Sequence, residues 1–179
     1  MRSVKVKDKE FELFISEQQM QNEISRVAAE INRDFQGKEP LFLAVLNGSF
    51  MFASDLMKEV SIPSTISFVK MSSYVGTESI STMKHLIGLN EDIAGRDVIV
   101  IEDIVDTGYT MKNLLEILNS KGPASVSVCS MLYKPNKLEV ELDVRYVAMS
   151  IPDDFIVGYG LDYDGYGRNL RDIYKIINR

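Results

Sequence analysis

A single cysteine, Cys129, and a single histidine, His85, occur in 179 residues. One thiol cannot close an internal disulfide, so no covalent staple holds the fold. With no second histidine and no cysteine pair, zinc has no ligand set, and His85 reads as structural. Cys129 lies in Ser127-Val128-Cys129-Ser130-Met131, an apolar stretch that reads as a buried strand, so it reads as core rather than as a reactive thiol. No apolar run reaches membrane-spanning length. The first residues, Met1-Arg-Ser-Val-Lys-Val-Lys-Asp-Lys-Glu, lack the apolar centre of a signal peptide. The expectation is a soluble, cytoplasmic protein with no membrane partner. Positive charge is also short: 20 Lys and Arg stand against 26 Asp and Glu, a formal charge of −6. The field of the whole molecule therefore does not favour nucleic acid. Attraction for a polyanionic substrate must be local, from a metal, backbone amides or a few placed cations. The chain has no internal repeat and no low-complexity segment. It also lacks a Walker glycine-lysine loop and a Gly-x-Gly-x-x-Gly turn after a strand.

The hydrophobic share of 45% is that of a globular protein with a sizeable core, and the length suits one domain. Phe11 to Ile15 reads as a short strand. Ser16-Glu17-Gln18-Gln19 is a capping box. Met20, Ile24, Val27, Ala28, Ile31 and Phe35 follow at helical spacing, and Gly37 ends the helix. Leu41 to Leu46 is a continuous apolar run, a strand buried on both faces. Asn47-Gly48-Ser49 turns into a helix over Phe50 to Val60, with Phe50, Ala53 and Met57 expected inward. Ser64 to Tyr74 and Met83 to Leu89 read as strands of a long hairpin. Between them Val75 to Thr82, rich in Gly, Ser and Thr, reads as a loop. A helix over Met111 to Leu118 stops at Gly122-Pro123. Ala124 to Tyr133, Asp143 to Met149 and Asp154 to Val157 read as strands, Gly158 to Arg168 as a loop, and Ile173 to Ile177 as a closing element. Strands alternating with helices predict an α/β fold on a mainly parallel, twisted sheet flanked by helices.

One stretch carries the chemistry: Val98-Ile-Val-Ile-Glu-Asp-Ile-Val-Asp-Thr-Gly-Tyr-Thr110. A buried strand ends in Glu102 and Asp103, and a helix opens after Asp106, Thr107, Gly108 and Thr110. Asp106 to Thr110 reads either as a capped turn or as a phosphate cradle of amides and hydroxyls at a helix N-terminus. Glu102 and Asp103 are harder to explain as scaffolding. Neighbouring carboxylates in a covered crevice repel one another and lose hydration. A sugar diol together with Mg²⁺ would compensate both, since Mg²⁺ takes few carboxylates and keeps water or phosphate oxygens.

This stretch resembles the phosphoribosyl pyrophosphate signature of type I phosphoribosyltransferases, and nearly the whole chain resembles their hypoxanthine branch. Leu46-Asn47-Gly48-Ser49 is similar to its pyrophosphate loop, and Ser73-Tyr74 to the start of its catalytic lid. Lys134 is similar to its purine-contacting lysine. The base-binding segment is matched by Phe155-Ile156-Val157-Gly158-Tyr159-Gly160-Leu161-Asp162-Tyr163, and a late pyrophosphate-contacting arginine by Arg168. The resemblance implies one phosphoribosyltransferase domain over 1–179, with a small hood from about 1–15 and 150–179. It also implies a homo-oligomer, dimer or tetramer.

The implied roles are these. Glu102 and Asp103 hold the ribose hydroxyls and Mg²⁺. Asp106, Thr107, Gly108, Tyr109 and Thr110 hold the 5′-phosphate, and Asp106 is also the catalytic base near the purine. Lys134 donates to the 6-oxo group, Phe155 stacks on the base and the Ile156 backbone reads its edge. Asp162 binds a second Mg²⁺. Asn47, Gly48 and Arg168 meet the pyrophosphate. Two departures stand out: the family often carries lysine where this chain has Asn47 and a cation where it has Tyr109, which shifts neutralisation towards Arg168 and Mg²⁺. The implied reaction is purine salvage, transferring phosphoribose to hypoxanthine and guanine. The alternative is a nucleotide-sensing regulator on the same scaffold, which would want a basic face for RNA.

Overall fold

The computed structural model describes residues 3–74 and 83–177. The expected loop over 75–82 lies outside the described residues. In chain order the elements are β1 (Ser3–Val6), β2 (Lys9–Ile15), α1 (Glu17–Asp34), β3 (Leu41–Val45), α2 (Phe50–Glu59), β4 (Thr65–Tyr74), β5 (Met83–Ile87), β6 (Asp97–Val105), α3 (Tyr109–Asn119), β7 (Ser125–Tyr133), a 3₁₀ turn (Pro135–Lys137), β8 (Tyr146–Ser150), β9 (Ile156–Val157) and β10 (Ile173–Ile176).

Six strands form one sheet in the order β5-β4-β3-β6-β7-β8. All neighbours in it are parallel except β5, which returns antiparallel to β4. Its central strands are covered on both faces, which is why they read as unbroken apolar runs. Phe42, Ala44, Ile99 and Ile101 pack with α1 and α2 on one side. Leu41, Leu43, Val98 and Val100 pack with α3 on the other. The period of two along each strand splits its residues between these two cores. A second sheet, β1-β2-β10-β9, is antiparallel and drawn from both ends of the chain.

Helix α1 is set by its first residues. The Ser16 hydroxyl accepts the Gln19 amide, and the Gln19 side chain accepts the Ser16 amide at 2.9 Å. Met20, Ile24, Val27, Ala28 and Ile31 are buried at the expected spacing. Helix α2 corrects the sequence reading. It buries Phe52, Ala53 and Leu56, while Phe50 is 40% exposed. Apolar residues lie nearly all round this helix, so periodicity alone does not select the inward stripe. Strand β8 begins at Tyr146 rather than Asp143, and β9 is only Ile156–Val157. Cys129 is fully buried in β7, and burial pushes its thiol up.

The parallel strands place the ends of β3, β6 and β7 on one edge of the sheet, the edge at which open α/β sheets bind ligands. Asn47-Gly48, Glu102 to Asp106 and Lys134 lie at or just beyond those ends.

Candidate active site

Glu102 sits in β6 opposite Ser130 of β7 and is buried. Asp103 follows it. Each carboxylate curls back onto the next amide: Asp103 N–H donates to Glu102 Oε1 at 3.1 Å, and Ile104 N–H to Asp103 Oδ1 at 2.7 Å. Burial, then the neighbouring Asp103 charge, push the Glu102 carboxyl well above the usual carboxylate range. Burial raises Asp103 too, against hydrogen bonding with Glu102 and Ile104 and the nearby charge of Arg168. A buried acid and a half-buried one held this way want a cation. Among the described residues no three His, Cys, Asp or Glu side chains gather as a metal cage. The pair thus suits an ion that keeps most of its shell from water or substrate oxygens, as Mg²⁺ does.

Beyond the acids a cavity of about 80 Å³ opens at the start of α3. Glu102, Ile104, Val105, Asp106, Thr107, Gly108, Thr110 and Met111 line it. Gly108 takes the N-cap position in the left-handed region, φ 89°, and among the described residues no side chain caps the helix. The first-turn amides therefore have no capping oxygen, and the dipole favours an anion there. The Tyr109 ring is 48% exposed and does not line this cavity.

Asp106, which lines this cavity, also reaches two lysines. Its Oδ2 lies 3.2 Å from Lys137 Nζ and 3.9 Å from Lys134 Nζ. Its Oδ1 is buried, with no hydrogen-bond partner among the described residues. Lys134 is buried at the end of β7. Its ammonium donates to Asp153 Oδ1 at 2.8 Å and to the Asp154 carbonyl at 3.0 Å. Phe155 comes next in the chain. Its ring leans on Phe11 and meets Tyr163 edge-on at 5.8 Å, yet is 47% exposed. Ile156 is buried in β9. The site thus holds an orphan acceptor, a buried ammonium and a supported, open aromatic face.

The Asn47-Gly48 turn is packed from two sides. A β-carbon on Gly48 would overlap the Asp103 carboxylate, 2.5 Å from its Cγ. One on Gly160 would collide with the Gly48 carbonyl. The Leu46–Asn47 peptide is cis. Arg168 donates to the Gly160 carbonyl at 2.7 Å and pairs with Asp162 at 2.8 Å. Asp162 also accepts the Gly165 amide at 2.7 Å. Asp162 is thus held by Arg168 and the Gly165 amide. Ser73 and Tyr74 end β4, paired with Lys84 and Met83 of β5.

Sequence reasoning does not single out Lys137 and Asp153, though they meet at 3.0 Å beside Asp106. The one local hint is a second lysine three residues after Lys134. It passes over Asp55 as well. This residue accepts from Tyr159 Oη at 2.7 Å and Gln21 at 2.8 Å, tying the 158–168 loop to both helices on that face.

A phosphoribosyl transferase domain model matches residues 15–164. Among curated relatives, a hypoxanthine phosphoribosyltransferase of Haemophilus influenzae is 38% identical over 93% of this chain and 95% of its own. A hypoxanthine-guanine phosphoribosyltransferase of Staphylococcus aureus is 39% identical over 89% of each chain. Among solved structures, a hypoxanthine-guanine phosphoribosyltransferase of Bacillus anthracis superposes with a TM-score of 0.84 at 38% identity, covering 93% of this chain and 97% of that one. These matches span the strand-end acids, the Asp106–Thr110 turn and Lys134 alike, and the chain belongs to the phosphoribosyl transferase domain family, in its hypoxanthine phosphoribosyltransferase branch.

Proposed function

We propose that this chain transfers the phosphoribosyl group of phosphoribosyl pyrophosphate to hypoxanthine and guanine, giving the nucleoside monophosphate and pyrophosphate. The single observation that carries this reading is the buried Oδ1 of Asp106, without a hydrogen-bond partner among the described residues, on a side chain that lines the cavity at the start of α3 and lies 3.9 Å from the Lys134 ammonium. An orphan buried acceptor costs stability unless a ligand completes it. A purine N–H is the complement.

The reaction forms a bond from purine N9 to C1 of the ribose and breaks the bond from C1 to the pyrophosphate oxygen, which leaves with the electron pair. Asp106 accepts the purine proton. The turn from Thr107 to Thr110 holds the 5′-phosphate through amides and hydroxyls, with the Asp106 and Tyr109 backbones contributing. Phe155 stacks on the base while Lys134 donates to its 6-oxo group. A 6-amino purine would leave that buried donor unmatched. Glu102 and Asp103 accept from the ribose hydroxyls and hold Mg²⁺, which when bound neutralises pyrophosphate charge. Asp162 is the candidate for a second ion, through water. Asn47, Gly48 and Arg168 meet the leaving group. We assign the cover that excludes water from the oxocarbenium-like transition state to the segment opening at Ser73-Tyr74, and the role of hood to the sheet β1-β2-β10-β9.

The experiment mixes the purified chain with phosphoribosyl pyrophosphate, Mg²⁺ and each base, and follows nucleotide absorbance. Turnover of hypoxanthine and guanine but not adenine is expected. Silence with both 6-oxopurines would sink the reading. We also infer a homo-oligomer, dimer or tetramer. Exposed Phe50, Ile66 and Phe68 border an apolar groove of about 450 Å³ beside α2, a surface that suits a second copy. A monomeric mass by light scattering would remove this part alone.

A further inference from the structure

Four charges of alternating sign close one side of the base site. Asp106 meets Lys137 at 3.2 Å, Lys137 meets Asp153 at 3.0 Å, and Asp153 meets Lys134 at 2.8 Å. The ring ends 3.9 Å short of closure, between Lys134 and Asp106. That gap is an ion-pair distance but not a hydrogen bond.

The proton count gives the ring a direction. The Lys134 ammonium has three protons. Asp153 and the Asp154 carbonyl take two of them, so one remains for the ligand. Asp106 Oδ2 is the nearest competitor for that third proton. It is engaged by Lys137 instead. The carboxylates of Asp153 and then Asp106 hold the Lys137 ammonium above its ordinary value, so it stays charged at neutral pH.

We propose that Lys137 is a positioning residue for base recognition: it occupies Asp106 Oδ2, which leaves Oδ1 as the acceptor for the purine and the third proton of Lys134 for the 6-oxo group. Asp153 bridges the two ammonium groups and fixes their spacing. Without Lys137 the Asp106 carboxylate turns to Lys134, and one misdirected contact disables both halves of the recognition. Lys137 is a third exposed, on a 3₁₀ turn. Exposed ion pairs contribute little to stability, so its effect should appear in the base site and not in the fold.

The inference rests on the proposed function, and the test separates the two. Wild-type chain, Lys137→Met and Lys137→Arg are compared in steady state. Hypoxanthine is varied at saturating phosphoribosyl pyrophosphate, and then the reverse. Met keeps the length of the stem and removes charge and donors. We expect kcat/KM for hypoxanthine to fall roughly ten- to a hundredfold in Lys137→Met, the worth of a hydrogen bond to a charged group. The KM for phosphoribosyl pyrophosphate and the melting temperature should stay at wild-type values, and Lys137→Arg should recover most of the loss. An unaltered Lys137→Met overturns the inference. So does a loss in which both KM values rise and the melting temperature falls, because that is a structural role. A wild-type chain that forms no nucleotide overturns the parent reading, whatever the variants do.

Discussion

The Cα of Gly48 rests against the Asp103 carboxylate with no room for a methyl group between them. The turn proposed to face pyrophosphate and an acid proposed to hold ribose, 55 residues apart (103 − 48), are thus packed as one surface. Gly48→Ala should force the Asp103 carboxylate to swing away, since its carboxyl group is the part able to give. We expect roughly a hundredfold loss in kcat/KM for phosphoribosyl pyrophosphate, the scale of a misplacement of about 1 Å. Circular dichroism should remain native. Wild-type kinetics in this variant would mean that the acid is not needed where it stands.

Asp106→Asn keeps the shape of the side chain and removes the proton acceptor. Turnover should fall by roughly two orders of magnitude or more, in the range of general base catalysis. The KM for hypoxanthine should change by much less. Steady-state kinetics with both 6-oxopurines check this, and unchanged turnover would take Asp106 out of the role.

Phe155→Ala should raise the KM for the base about tenfold, as removal of a stacking ring does. The ring is open on one side and supported by Phe11 and Tyr163 on the other. The KM for phosphoribosyl pyrophosphate should hold. A shift in that constant instead of the base constant would place Phe155 outside the purine site.

Asp55 gives a pH signature. Burial works to raise it, but hydrogen bonds from Lys58, Tyr159 and Gln21 outweigh that and hold it below the ordinary carboxylate value. A depressed folded value stabilises the protein above the unfolded value of about 3.9, and that stability is lost as pH falls through the folded value. Asp55→Asn should therefore lower the thermal midpoint by about 2–4 °C at neutral pH, the effect of roughly 1 kcal/mol in a protein of this size. The gap to wild type should narrow below about pH 4. Thermal melts from pH 3 to 7 decide it, and a gap independent of pH would show that charge is not the cause.

Part of this molecule is legible in the order of its residues. Ser16 and Gln19 cap α1 through contacts three residues apart, which propensity and spacing describe completely. The runs Leu41–Val45 and Val98–Ile101 are apolar at every position because both faces of their sheet are covered. Helix α2 is harder, because Phe50, Phe52 and Met57 offer competing stripes and only the sheet beneath selects Phe52. The pairing of Lys137 with Asp153 is not legible: a second lysine three residues after Lys134 is the only local hint, and nothing local points to its partner. Their ion pair spans 16 residues and passes through β8.

By itself the sequence determined which segments become strands and helices, where the main apolar faces lie, and the stock of acids, lysine and aromatic that suits a phosphoribosyl and purine site. The elements and apolar faces follow from short-range periodicity, capping and burial; the purine roles of the lysine and the aromatic follow from the resemblance to the family. Only the tertiary structure decided that Asp106 Oδ1 is without a partner among the described residues, that Arg168 clasps Asp162, and that Gly48 seats Asp103. Those contacts depend on strand register and on loops meeting across the sheet edge. No local preference encodes which of two carboxylate oxygens a distant lysine will reach.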